Sequence, residues 1–139
     1  MYNFLKKKDK SEIGNSLVKI AALLIHVARI DQNYTEKEKE IVRKSIVELS
    51  SKSEKIEEIL SKAEEIEKNS NQILDFTKEV KNMNENSKIK IVEILWNIIY
   101  SDKSPDMYEN SLMRRLTGLL YLDAKIVGDI KEKVINNLK

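Results

Sequence analysis

The sequence predicts an all-α protein of about seven helices. One proline and three glycines in 139 residues leave few helix breakers, and Lys, Glu, Leu and Ile dominate the composition. Apolar residues recur at spacings of three and four instead of alternating. The length suits one domain, and a chain near this size buries about two thirds of the surface it would expose unfolded, so a real core is possible.

Each element follows from its own stripe. Ile13, Leu17, Ile20, Ala21, Leu24, Val27 and Ala28 predict a first helix over residues 12 to 31. Ile41, Val42, Ile46 and Leu49 mark a second, beginning near Thr35. Ser51 and Glu54 have capping-box spacing ahead of a third helix striped by Ile56, Ile59, Leu60, Ala63 and Ile66. The polar string KNSNQ allows a bend before a fourth helix with Ile73, Leu74, Phe76 and Val80. NMNENSK, residues 82 to 88, separates this from a fifth carrying Ile91, Ile94, Leu95, Trp96, Ile98 and Ile99. Pro105 is tolerated in the first turn of a sixth helix, which holds Leu112, Met113, Leu116, Leu119 and Leu120. Asp123 starts a seventh that runs to the terminus.

Residues 21 to 50 align without a gap on residues 92 to 121. Leu24 meets Leu95, Asp31 meets Asp102, Glu38 meets Glu109, Arg43 meets Arg114 and Leu49 meets Leu120. This predicts a duplicated helix-turn-helix unit: a single domain over 1–139 with a first repeat at about 12–50, connecting helices at 51–83, a second repeat at about 85–121 and a C-terminal helix at 123–138. The two hairpins are expected to be related by an approximate two-fold axis, with Leu24 and Trp96 buried.

The charge balance narrows the function classes. With 25 Lys and Arg against 23 Asp and Glu, the net charge is +2, which offers no electrostatic footprint for nucleic acid. The absence of cysteine removes disulfides, thiolate nucleophiles and thiolate metal sites. Lys19, His26 and Arg29 interrupt the first apolar stretch, which lacks a small-residue cleavage site, so a cytoplasmic helix is expected there and not a signal peptide. No segment reaches the roughly 20 apolar residues of a membrane span. The KKK at residues 6 to 8 reads as a solvated terminus, with weak attraction to an anionic membrane surface as the peripheral alternative.

The octets DQNYTEKE (31–38) and DKSPDMYE (102–109) carry the chemistry that repeats. Thr35 with Glu38, and Asp106 with Glu109, have the spacing of a capping box, which explains each Glu without a ligand. Each Asp follows an apolar helix, where the macrodipole disfavours an anion and turn formation is its ordinary use. The sharper reading joins Asp31, Glu38, Asp102 and Glu109 into a site of hard oxygen donors for Ca²⁺ or Mg²⁺. An EF-hand is excluded: the sixth loop position holds Glu36 or Met107 instead of Gly, and the twelfth holds Val42 or Met113 instead of Glu. In a third account Arg43 or Arg114 pairs with a carboxylate of the other repeat and takes the place of the cation. His26 reads as a partly buried packing residue, since a lone histidine is a poor transition-metal signal. Trp96 reads as core. No nucleophile and base pair, phosphate loop or HExxH occurs, so no enzyme is expected.

The stretch VEILWNIIYSDKSPDMYENSLMRRLTGLLYLD (92–123) resembles the second half of TerB-family proteins, the tellurite-resistance-type helical proteins, and AALLIHVARIDQNYTEKEKEIVRKSIVEL (21–49) resembles their first repeat. The resemblance implies a TerB-like helical bundle, a role in stress and tellurite resistance, and a metal site whose acids fall on Asp31, Glu38, Asp102 and Glu109. It also implies a scaffold for a protein partner, the alternative to metal binding. The family's Asp-Gly is Asp31-Gln32 and Asp102-Lys103 here, so both turns lack the residue that freely takes positive φ, and weak cation affinity is expected.

Overall fold

In the computed structural model, the structure describes residues 10–29, 34–50, 55–69, 74–101 and 107–137, with the side chains of 10–15, 74, 75 and 107–109 excepted. Seven helices and no strands occupy these residues: α1 (Lys10–Ala28), α2 (Glu36–Leu49), α3 (Ile56–Asn69), α4 (Leu74–Lys81), α5 (Glu85–Ile99), α6 (Met107–Leu119) and α7 (Ala124–Asn137). The all-α prediction holds. The proposed box at Ser51 to Glu54, and Pro105, lie outside the described residues.

α1 is the axis of the bundle and packs against α2, α3, α4 and α5. Its burial explains its composition. Ile20 to Ile25 are six consecutive residues with no solvent exposure, so apolar side chains face neighbours on every side. Such a helix cannot show a single stripe. α5 is the second core helix, burying Ile91, Val92, Ile94, Leu95, Trp96, Ile98 and Ile99 and packing against α1, α2, α4 and α7. Leu24 and Trp96 are both buried, as expected.

Helix ends follow local chemistry. Thr35 caps α2: its hydroxyl accepts from the Glu38 N–H at 3.1 Å, while the Glu38 carboxylate takes the Thr35 N–H at 2.8 Å, closing the predicted capping box. α5 begins inside the polar string read as a separator, because the Asn84 side chain accepts from the Ser87 N–H at 2.9 Å and supplies the cap that releases Glu85 to Lys88 into the helix. α5 ends at Ile99, with Tyr100 in its cap, before Asp102 is reached. Asp123 accepts from the Lys125 N–H at 2.8 Å and starts α7 as predicted.

The two hairpins share a burial pattern. Ile20 and Ile91, Leu24 and Leu95, Val27 and Ile98, Val42 and Met113, and Leu49 and Leu120 are buried pair by pair. Their second helices have different neighbours, however. α2 packs against α1, α3 and α5, whereas α6 leans on α4 and α7.

Candidate functional site

Of the four acids predicted to form a cation site, Glu38 is the one whose side chain the structure describes. Asp31 and Asp102 lie outside the described residues, and Glu109 belongs to α6 with its side chain likewise outside them. Glu38 is 3 % exposed, and its Oε1 receives both the Thr35 N–H and, at 3.1 Å, the Thr35 hydroxyl. Among the described residues no group of three or more His, Asp or Glu side chains is arranged to hold a metal ion.

Around this turn the structure builds a charged network that ties α1 and α2 to α3. The Tyr34 ring lies between two cations, with the Arg29 guanidinium and the Lys39 ammonium each 5.3 Å from its centroid. Burial pushes the Tyr34 hydroxyl up to about 12, and Glu64, Glu38 and Glu36 add to the shift while Arg29 opposes it. Arg29 donates to Glu67 at 2.6 Å and stands 3.6 Å from Glu64. His26 Nδ1 is 3.2 Å from the other Glu67 oxygen, and the His26 ring packs near Phe76. His26 is therefore a partly buried packing residue, as expected, with a carboxylate partner that its own helix does not reveal.

Between α2 and α3 a cleft of about 350 Å³ is lined by Tyr34, Glu40, Arg43, Glu57, Leu60 and Glu64 among others. Arg43 pairs with Glu57 across it. This gives Arg43 a partner that the third account of the octets did not name. Among the described residues its carboxylate partner is Glu57 of the connecting helix α3, which the path from α2 to α3 brings alongside, while the side chains of Asp102 and Glu109 lie outside them. Ion pairs hold Arg43 to Glu57, Lys39 to Glu36 and Arg29 to Glu64 around this cleft, which makes it a brace between helices. Sequence reasoning missed the brace. Its trace was there: His26 and Arg29, and Glu64 and Glu67, are each spaced by three and share a helix face.

Among the described residues no helix is long and apolar enough to cross a membrane. Neither the comparison with curated proteins nor that with solved structures finds a match. A family model described as tellurite resistance protein TerB matches residues 17–132, from the first buried leucine of α1 to the middle of α7. That span takes in both octets, the connecting helices and nearly all of the buried core, and the chain belongs to the TerB family.

Proposed function

We propose that this chain is a non-enzymatic TerB protein of the stress and tellurite-resistance type that holds Ca²⁺ or Mg²⁺ between its two repeated turns, with Asp31, Glu38, Asp102 and Glu109 as the ligating acids. The observation that carries the reading is Glu38. A capping carboxylate ordinarily sits at the surface, whereas this one is sequestered to 3 % exposure in the first turn of α2, seven residues after Asp31 in the sequence. Withdrawing a carboxylate from water is costly unless positive charge or hydrogen bonds compensate. The helix N-terminus and Thr35 supply compensation of this kind, and a hard divalent cation shared with the aspartates is a source of the same kind. The same reading takes the hairpins as copies of one unit, supported by the paired burial of Leu24 with Leu95 and Val42 with Met113.

The alternative, a helical scaffold for a protein partner without metal, draws little from the described surface. Its large exposed apolar side chains are Val47, Ile66 and Tyr121, on α2, on α3 and in the turn after α6.

Calorimetric titration of metal-free protein with Ca²⁺ and Mg²⁺, beside a variant carrying Asp31→Asn and Asp102→Asn, tests the cation site. Heat that disappears in the variant supports it. Absence of binding to the native protein at millimolar metal overturns it and leaves the octets as helix punctuation.

A further inference from the structure

A second cavity, of about 490 Å³, opens between α5, α6 and α7, far from the α2–α3 brace in sequence and opposite to it in charge logic. Its volume is in the range of small-molecule sites. Trp96, Met113 and Val127 give it an apolar wall, and Arg114 and Lys131 stand on that wall as cations. In the α2–α3 cleft Arg43 and Lys39 have glutamate partners. Here neither Arg114 nor Lys131 has a carboxylate partner among the described residues, and no Asp or Glu is among the described residues that line the cavity, although the chain holds 23 of them.

Two further observations concern the wall itself. Trp96 is 4 % exposed, yet its indole Nε1–H has no hydrogen-bond acceptor among the described residues. A buried indole donor usually finds one. Lys131 Nζ lies 5.1 Å from the centroid of the Trp96 ring, so a cation covers the face of the indole where another group could stack. Gly128 of α7 also borders the cavity, and a Cβ built there would meet nothing within 4 Å. The space is open on the α7 side.

We propose that this cavity binds a small organic anion with a flat apolar body: the body lies against Trp96 and Met113, and the anionic group sits between Arg114 and Lys131. Each part of the cavity has a use in this arrangement. The guanidinium of Arg114 offers paired N–H donors suited to a carboxylate or a phosphate. Lys131 exchanges a cation–π contact for a full negative charge. A simple inorganic anion would leave the apolar wall bare, and a neutral aromatic would leave both cations without a partner.

Trp96 is the single tryptophan of the chain, so both its emission and its one indole N–H resonance report on this cavity alone. The full metal-free chain is titrated with phenyl phosphate, phenylacetate, inorganic phosphate and benzyl alcohol. The expected result is a saturable shift of the indole N–H resonance with at least one of the two aromatic anions, and none at equal concentration with inorganic phosphate or benzyl alcohol. The tighter of the two aromatic anions identifies phosphate or carboxylate as the natural head group. Arg114→Gln should weaken binding by roughly tenfold, the effect of losing one charge-assisted contact. Gly128→Leu, which fills the space, should abolish it, whereas Lys125→Gln on the same helix should leave it unchanged. The proposal is overturned if neither aromatic anion gives a saturable shift, if the neutral or inorganic probe binds as well, or if folded Arg114→Gln and Gly128→Leu proteins bind as the native chain does. None of these outcomes depends on the cation site at the turns.

Discussion

The Arg29 guanidinium and the Glu67 carboxylate meet at 2.6 Å and fasten α1 to α3 across 38 residues of chain. Glu67 is only 11 % exposed, and the same carboxylate lies 3.2 Å from His26. A charge-assisted hydrogen bond shielded to this degree contributes more than a surface ion pair. Glu67→Ala should therefore lower the free energy of unfolding by about 1–3 kcal/mol, read as a lower urea midpoint at an unchanged denaturant slope. A loss within the scatter of exposed pairs would show that the contact is exchanged for water at no cost.

The capping box at Thr35 and Glu38 predicts a smaller and more selective effect. Thr35→Ala removes the acceptor for the Glu38 N–H and should cost about 1 kcal/mol. Thr35→Ser keeps an equivalent oxygen and should restore most of it. Thermal unfolding of the pair checks this; equal melting temperatures for the Ala and Ser variants would deny the hydroxyl its role.

Tyr121 sits where glycine is expected. Its φ is 58°, in the left-handed region, and it terminates α6 with the Leu122 N–H returning to the Thr117 carbonyl at 3.2 Å. A side chain there carries about 1–2 kcal/mol of steric cost, offset in part by Lys81 and Lys88, which lie 5.4 and 6.0 Å from the ring centroid. Tyr121→Gly should raise stability by a few tenths to about 1 kcal/mol, less than the full strain because glycine also frees the unfolded chain. A clear destabilisation in chemical denaturation would show that the two lysine contacts outweigh the strain.

Tyr34 gives the pH dependence. Its folded pKa, about 12, is above the ordinary 10.0 for tyrosine, so between these values the folded chain holds a proton that the unfolded chain has released. The stability it contributes is complete below pH 10 and is lost as the pH rises through 12. Burial also raises the Tyr100 hydroxyl, so tyrosinate absorbance should show late titration in the native protein with Tyr34 as its component near 12, and Tyr34→Phe should remove that component and reduce the alkaline loss of stability. A titration in which all five tyrosines ionise together near 10 would contradict the burial of the Tyr34 hydroxyl.

Much of this was legible before any coordinates. The stripe of Val42, Ile46 and Leu49 located α2, and the Thr35 to Glu38 spacing gave the residue at which it starts. Asp123 marked the start of α7 in the same way. These signals are local: a cap involves three residues and a stripe two turns, so the chain encodes them without reference to what packs above. Where local signals compete the reading slipped, as at Asn84, whose polar neighbours suggested a separator while its side chain caps α5.

The amino-acid order by itself determined that the chain is helical, which faces are apolar and which residues cap, and it holds matching residues at equivalent positions of 21–50 and 92–121. Only the tertiary structure decided that Arg43 pairs with Glu57 of α3, that Glu67 takes Arg29 with His26 beside it, and that Arg114 and Lys131 share a cavity with Trp96. The reason is range. A helix period reports which side of a helix is buried but not which neighbour buries it, and a charged side chain at a helix surface has many possible partners until packing brings one within reach.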